Sequence, residues 1–214
     1  MIIIRSYLAR EAIIVSSSAS LSHAEKELLL NADLIRTKNS ALENLRLLLI
    51  SLQDQQTAII TNQNSGHSVF GPPPKISKGE NYLGLPYLIL DYPRYNNREN
   101  IFFIRSMFWW GNFFSSTLHL SGSMKEEFGA EVVARRHELT ECYAGINDDP
   151  WIHHFESSNY RPLDRLSESE LTDLLTCKPH FKLAARWPLT QIDEAERLLL
   201  KSWTIFLQTA GLIA

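Results

Sequence analysis

The sequence predicts an α+β domain: a mainly antiparallel sheet of about five or six strands, packed by helices and preceded by an N-terminal helical hairpin. Three observations carry this. Before residue 57, two capping-box pairs introduce leucines at helical spacing. From residue 82 onward, several short segments switch to an apolar period of two. These segments follow one another with short turn signals between them, which favours hairpin-linked strands over a doubly wound sheet.

The elements follow in chain order. Residues 1–15 fit either strand or helix. Ser22 with Glu25 and Ser40 with Glu43 have capping-box spacing. Leu28, Ala32 and Ile35, then Leu42, Leu45, Leu49 and Leu52, supply the apolar faces of a hairpin over about 20–56. Residues 61–81 are rich in Gly, Pro, Ser and Asn and contain Pro72-Pro73-Pro74, so a long polar loop is expected. Strands are predicted at Tyr87–Tyr92, Ile101–Trp110, Phe113–Leu120 and His180–Trp187. A helix falls within 124–141, and a hairpin over 142–156 turns at Asn147–Pro150. Ser167 with Glu170 caps a short helix. Thr190 with Asp193 opens the last one, whose Ala195, Leu199, Trp203 and Phe206 form a single stripe. Residues 82–210 thus form the sheet and its packing helices, and the 214-residue chain is expected to be one domain.

Composition excludes several classes. A net charge of −3 gives no overall attraction to nucleic acid. Arg5, Arg10 and Glu11 interrupt the opening apolar residues, which argues against a signal peptide. No stretch approaches the roughly 20 apolar residues of a membrane span. The only cysteines, Cys142 and Cys177, form no C-x-x-C pair. They read as small buried residues in a reducing cytoplasm. No Walker loop, dinucleotide fingerprint, Gly-x-Ser-x-Gly elbow or His-Glu-x-x-His run is present. No cofactor or metal is therefore predicted.

The most informative feature is aromatic density: half of the chain's aromatic residues lie between Tyr82 and Phe114. Gly111-Asn112 reads as a two-residue hairpin turn. That turn would set Trp110 opposite Phe113, Phe108 opposite Ser115, Ser106 opposite Thr117 and Ile104 opposite His119. Phe103, Met107, Trp109, Phe114, Leu118 and Leu120 would then form the core face. The candidate ligand-binding residues are Ser106, Phe108, Trp110, Phe113, Ser115, Thr117 and His119. Aromatic walls with hydroxyls and one imidazole suit a largely apolar pocket with a few polar anchors.

Two further groupings bear on chemistry. His180, Lys182 and Arg186 share one side of their strand, either as a solvated face or as a site for an anion. His154 and Glu156 share a face in a segment rich in metal-capable groups, with His119 or Asp91 as further candidates. His153 points the other way. Two local ligands fall short of the three or four that a metal site needs. His119-Leu120-Ser121 matches one half of the paired His-x-Ser/Thr signature of the two-histidine phosphoesterases, and the required second copy is absent.

From about Tyr82 to the C-terminus the order of elements, with Lys125-Glu126-Glu127-Phe128-Gly129 leading into a helix, resembles the YktB-like family of small bacterial proteins. The resemblance implies an α+β fold with helices against an antiparallel sheet. It implies no activity and no catalytic residues. The expected function is a non-enzymatic ligand-binding or interaction protein with an aromatic-lined pocket on its sheet, its partner a small molecule or a protein. The alternative is a small hydrolase acting on an anionic substrate through His119, His154 and Glu156, with or without a metal. Neither reading involves nucleic acid or a membrane.

Overall fold

The structure, a computed structural model, describes residues 20–214, so the strand-or-helix question at residues 1–15 lies outside it. The chain divides into two compact units, the first ending at Ser40 and the second spanning Ala41–Ala214.

In the first unit, Ser22 caps α1 (His23–Leu30) through the predicted box with Glu25. Asn31 then ends α1, and its side chain accepts a hydrogen bond from the Leu34 amide at the start of α2 (Ala32–Asn62). The predicted second box at Ser40 and Glu43 does not begin a helix. Asn31 already supplies the cap, and Ser40 sits inside one 31-residue helix. Leu28, Leu29, Leu30, Leu34 and Ile35 are exposed.

The second unit is an antiparallel sheet with helices against it, the α+β class expected. Among the described residues it has seven strands: β1 (Lys75–Tyr82), β2 (Leu85–Asn97), β3 (Asn100–Trp109), β4 (Phe113–Ser121), β5 (Tyr143–Gly145), β6 (Tyr160–Pro162) and β7 (His180–Pro188). Their order is β1-β2-β3-β4-β7-β5-β6. The helices are the rest of α2 with α3 (Ser123–Ala134), α4 (Glu168–Cys177) and α5 (Ala195–Thr209). None of the helices among the described residues is long and apolar enough to cross a membrane.

The predicted 61–81 loop is shorter than expected. α2 runs to Asn62, and Lys75–Tyr82 forms β1. β1 is an edge strand, paired only with β2 and polar on its free side, so its composition resembles a loop. β2 outlasts the predicted Tyr87–Tyr92 because it continues past a bulge between Asp91 and Arg94. The hairpin expected over 142–156 is instead β5 and β6, with residues 146–159 as a long connection.

One sheet face carries the main core. Leu90, Phe102, Ile104, Phe108, Phe114, Leu118, Leu120 and Leu183 pack there with Leu49 and Leu52 of α2, Val132 of α3 and the α5 stripe. Leu199, Trp203 and Phe206 are fully buried, each stabilising by about 1.5–3 kcal/mol through burial of its side chain. Trp203 also donates its indole N–H to the Tyr92 carbonyl at the β2 bulge (2.6 Å). Gly129 is a weak helix former, but it gives the Leu175 side chain room against α3. A side chain there would collide with Leu175 of α4.

Candidate functional site

The aromatic hairpin is one residue out of the predicted register. Trp109, not Trp110, pairs with Phe113, so the connection is the three-residue turn Trp110-Gly111-Asn112. Gly111 supplies its positive φ of 69°, and the Asn112 amide closes onto the Trp109 carbonyl (3.2 Å). Moving the turn by one residue inverts every side chain of β3 relative to β4. Phe113, Ser115, Thr117 and His119 therefore lie with Trp109, Met107, Arg105 and Phe103. Ser106 and Phe108 lie on the opposite, helix-covered face, paired with Ser116 and Phe114. Trp110, in the turn, lines a separate apolar groove of about 570 Å³ with Leu45, Leu48, Phe108, Leu189 and Ile192. The seven candidate residues are thus divided between the two faces of the sheet and the turn, and the predicted single pocket does not form.

The second face of the sheet is roofed by residues 146–159 and is polar at its centre. Its apolar end holds Ile89, Met107, Trp109 and Phe113, with Phe155 from the roof. Beyond them lie Asp91, Arg105, Thr117, His119 and Lys182. His119 stands opposite Lys182, and Arg105 stands opposite both Asp91 and Thr117. This grouping follows from strand alternation once the three-residue turn is known.

Several bonds attach the roof to this face. The Tyr82 hydroxyl accepts from the amides of His153 (2.7 Å) and His154 (3.3 Å). Lys182 Nζ donates to the carbonyls of Pro150 (2.7 Å) and Ile152 (2.8 Å). Arg105 holds Asp91 at two points and reaches His153 Nε2 through Nη1 (3.1 Å). Trp151 stacks on Phe103 with ring centres 6.1 Å apart and meets His119 edge-on at 6.0 Å.

Beneath this roof the polar atoms are incompletely paired. His119 is 1% exposed, and neither ring nitrogen has a hydrogen-bond partner among the described residues. His153 Nδ1 and His180 Nε2 are in the same condition. His119 and His180 meet edge to face, 5.5 Å between ring centres. Burial, reinforced by the nearby Lys182 charge, pushes His119 down to about 3 and His180 to about 4. The same causes hold His153 well below the usual histidine range, so all three imidazoles are neutral near pH 7. Burial and the Arg105 charge bring Lys182 down to about 7. Burial pushes the Tyr160 phenol up, so it stays protonated.

The arrangement offers neutral imidazole donors and acceptors, one lysine near its titration point, and hydroxyls from Ser115, Thr117 and Tyr160. His180 and Lys182 are buried, so the face predicted from their strand is not solvated; only Arg186 is exposed. Sequence reasoning missed Arg105 and Tyr82. A lone arginine amid Ile101–Trp110 was the available signal. The hydrolase trio is not assembled as expected. His154 lies 4.0 Å from Glu156 and bonds the Tyr82 hydroxyl, while the ring neighbours of His119 are Phe103, Trp151 and His180. Among the described residues, no group of three His, Cys, Asp or Glu is arranged to hold a metal. Cys142 is half-buried and its thiol is pushed up to about 12; Cys177, expected inside, is exposed.

No family model matches the chain, and no curated protein matches it in sequence.

Proposed function

We propose that this is a ligand-binding protein of the reducing cytoplasm, its ligand held on the sheet face beneath residues 146–159. The carrying observation is His119, buried and with both ring nitrogens unpartnered, beside similarly unpartnered atoms of His153 and His180. An unpaired buried polar group costs about 1–3 kcal/mol. Native structures seldom retain several such groups on one face without a role for them. A ligand bearing its own donors and acceptors offsets that cost. The aromatic surfaces of Phe103, Phe113 and Trp151 supply the apolar contact such sites use. The two free cysteines agree with a reducing compartment. The YktB-like resemblance bears on the fold and leaves this assignment to the site.

Histidine-ring NMR tests the reading. With ¹⁵N-labelled histidine, the rings are followed while acetate, phosphate, phenol and indole are added separately. At least one probe should saturably shift His119, His153 and His180 while the exposed His23 and His137 stay fixed. If all four leave the three rings unmoved, the face is a closed polar core and the proposal fails.

A further inference from the structure

Among the described residues, Lys182 has no counter-charge in contact with it. It is 3% exposed; its ammonium donates to the carbonyl oxygens of Pro150 and Ile152 and lies 5.4 Å from the centre of the Tyr160 ring. It makes no ion pair among the described residues. On the sheet, the Asp91 carboxylate is committed at both oxygens to Arg105. Asp149 in the roof acts on Lys182 only at longer range. The other titratable groups around Lys182 are His119 on β4, His180 on β7, His153 in the roof and Tyr160 on β6, which carry no negative charge near pH 7. A buried cation without a partner is costly, and a buried site with excess positive charge favours an anion.

Building on the ligand-binding reading above, we propose that the ligand carries a small oxyanion group, phosphate, sulfate or carboxylate, with Lys182 as its counter-charge and His119 and His153 as neutral N–H donors. The Pro150 and Ile152 carbonyls stand where the oxygens of that group would meet Nζ. Binding therefore exchanges two ammonium–carbonyl bonds for a pair in which donor and acceptor are both charged. The Phe103–Trp151 stack beside His119 offers an apolar platform for whatever bears the anion. An anion beside Nζ also restores the ordinary affinity of Lys182 for its proton, so binding at pH 8 takes up a proton.

Titrations of inorganic phosphate and of phenyl phosphate test this, read by histidine-ring shifts and by calorimetry at pH 8 in buffers of different ionisation enthalpy. The expected result is saturable binding with net proton uptake. Lys182→Met should weaken it by about 10-fold or more, the scale of one lost charge-assisted hydrogen bond. His119→Gln, which keeps the charge, should weaken it less. Tighter binding of the phenyl ester identifies an oxyanion on an aromatic body, and equal binding identifies the free ion. If phenol or indole bind while both phosphates do not, the oxyanion inference is overturned and the ligand-binding reading survives. If nothing binds, both fall. Unchanged phosphate affinity in a folded Lys182→Met variant also overturns it, because the counter-charge would lie elsewhere.

Discussion

Arg105 and Asp91 face each other across β2 and β3 in a two-point ion pair, Nε to Oδ1 at 2.8 Å and Nη2 to Oδ2 at 2.9 Å, with both side chains about 15% exposed. The pair neutralises one of the two cations beneath the roof, and the arginine's remaining reach fixes His153. Removing one member strands the other charge in a poorly solvated place. Asp91→Leu should therefore cost about 3–5 kcal/mol, and the Asp91→Leu/Arg105→Met double variant distinctly less. Urea unfolding of both variants checks this. Equal losses in the two would mean that the carboxylate acts independently of the guanidinium.

Stability should fall with acid over a wide range. His119 and His180 have folded values of about 3 and 4 against 6.5 unfolded, and His153 is shifted the same way. For a histidine with a lowered folded value the unfolded state binds the proton first. The neutral imidazole's contribution is thus fully present above about pH 6.5 and is lost as pH falls toward 4 and below. Each such group steepens the loss by up to about 1.4 kcal/mol per pH unit. Lys182 slopes the same way at higher pH. Its folded value of about 7 against 10.5 makes the protein more stable as pH rises between them. Urea midpoints from pH 9 to pH 4 should decline throughout, and His119→Phe should flatten the acid limb. A flat profile in the wild type would show that these groups bind protons as readily in the folded state as in the unfolded one.

Along α2 the stripe that enters the core should be costly to truncate and the solvent side should not. Leu49 and Leu52 are fully buried, whereas Leu47 is 53% exposed. Leu49→Ala and Leu52→Ala should each cost about 2–5 kcal/mol. Leu47→Ala should stay within about 0.5 kcal/mol. Thermal or urea unfolding that ranks Leu47 with the other two would place the helix differently on the sheet.

The fold was legible where one physical cause dominated. The boxes at Ser22 and Ser167 begin helices because nothing else competes for those amides, whereas Ser40 lies inside a helix that Asn31 has already capped, and its box is overridden. The strand from His180 alternates visibly because Phe181, Leu183, Ala185 and Trp187 give it one fully apolar face, and the strand from Ile101 is marked by its dense apolar and aromatic run. β1 was hidden because an edge strand is only half buried. The site was half legible. Phe113, Ser115, Thr117 and His119 share a face as strand alternation requires, and any hairpin would preserve that. Their partners on β3 depended on whether the turn holds two residues or three. Gly111-Asn112 fits both, and the choice exchanges Ser106 and Phe108 for Arg105 and Met107. The roof was beyond local reasoning, because its bonds join residues some 30 to 70 positions apart, as Lys182 to Ile152 and Tyr82 to His153 do.

The roof itself can be tested through Trp151, which is half exposed yet shields the least exposed imidazole of the site. It stacks on Phe103, meets His119 edge-on and lies 5.9 Å from the Arg105 guanidinium. His119 is held at about 3 chiefly by burial, then by the charges of Lys182, His180 and Arg105. Trp151→Ala admits water to that ring, which restores solvation of the imidazolium and screens the cations together. The His119 value should rise toward 6.5 but stay below it, since Lys182 and Arg105 remain. Trp110→Ala is the control, because that indole lines the groove with Leu45 and Leu48, away from the roof. NMR titration of the His119 ring in the two variants measures the difference. A large rise in Trp151→Ala and none in Trp110→Ala assigns the burial to the roof. An unmoved His119 in both would mean that the strand side chains alone exclude water, and that a ligand must enter by some route other than beneath Trp151.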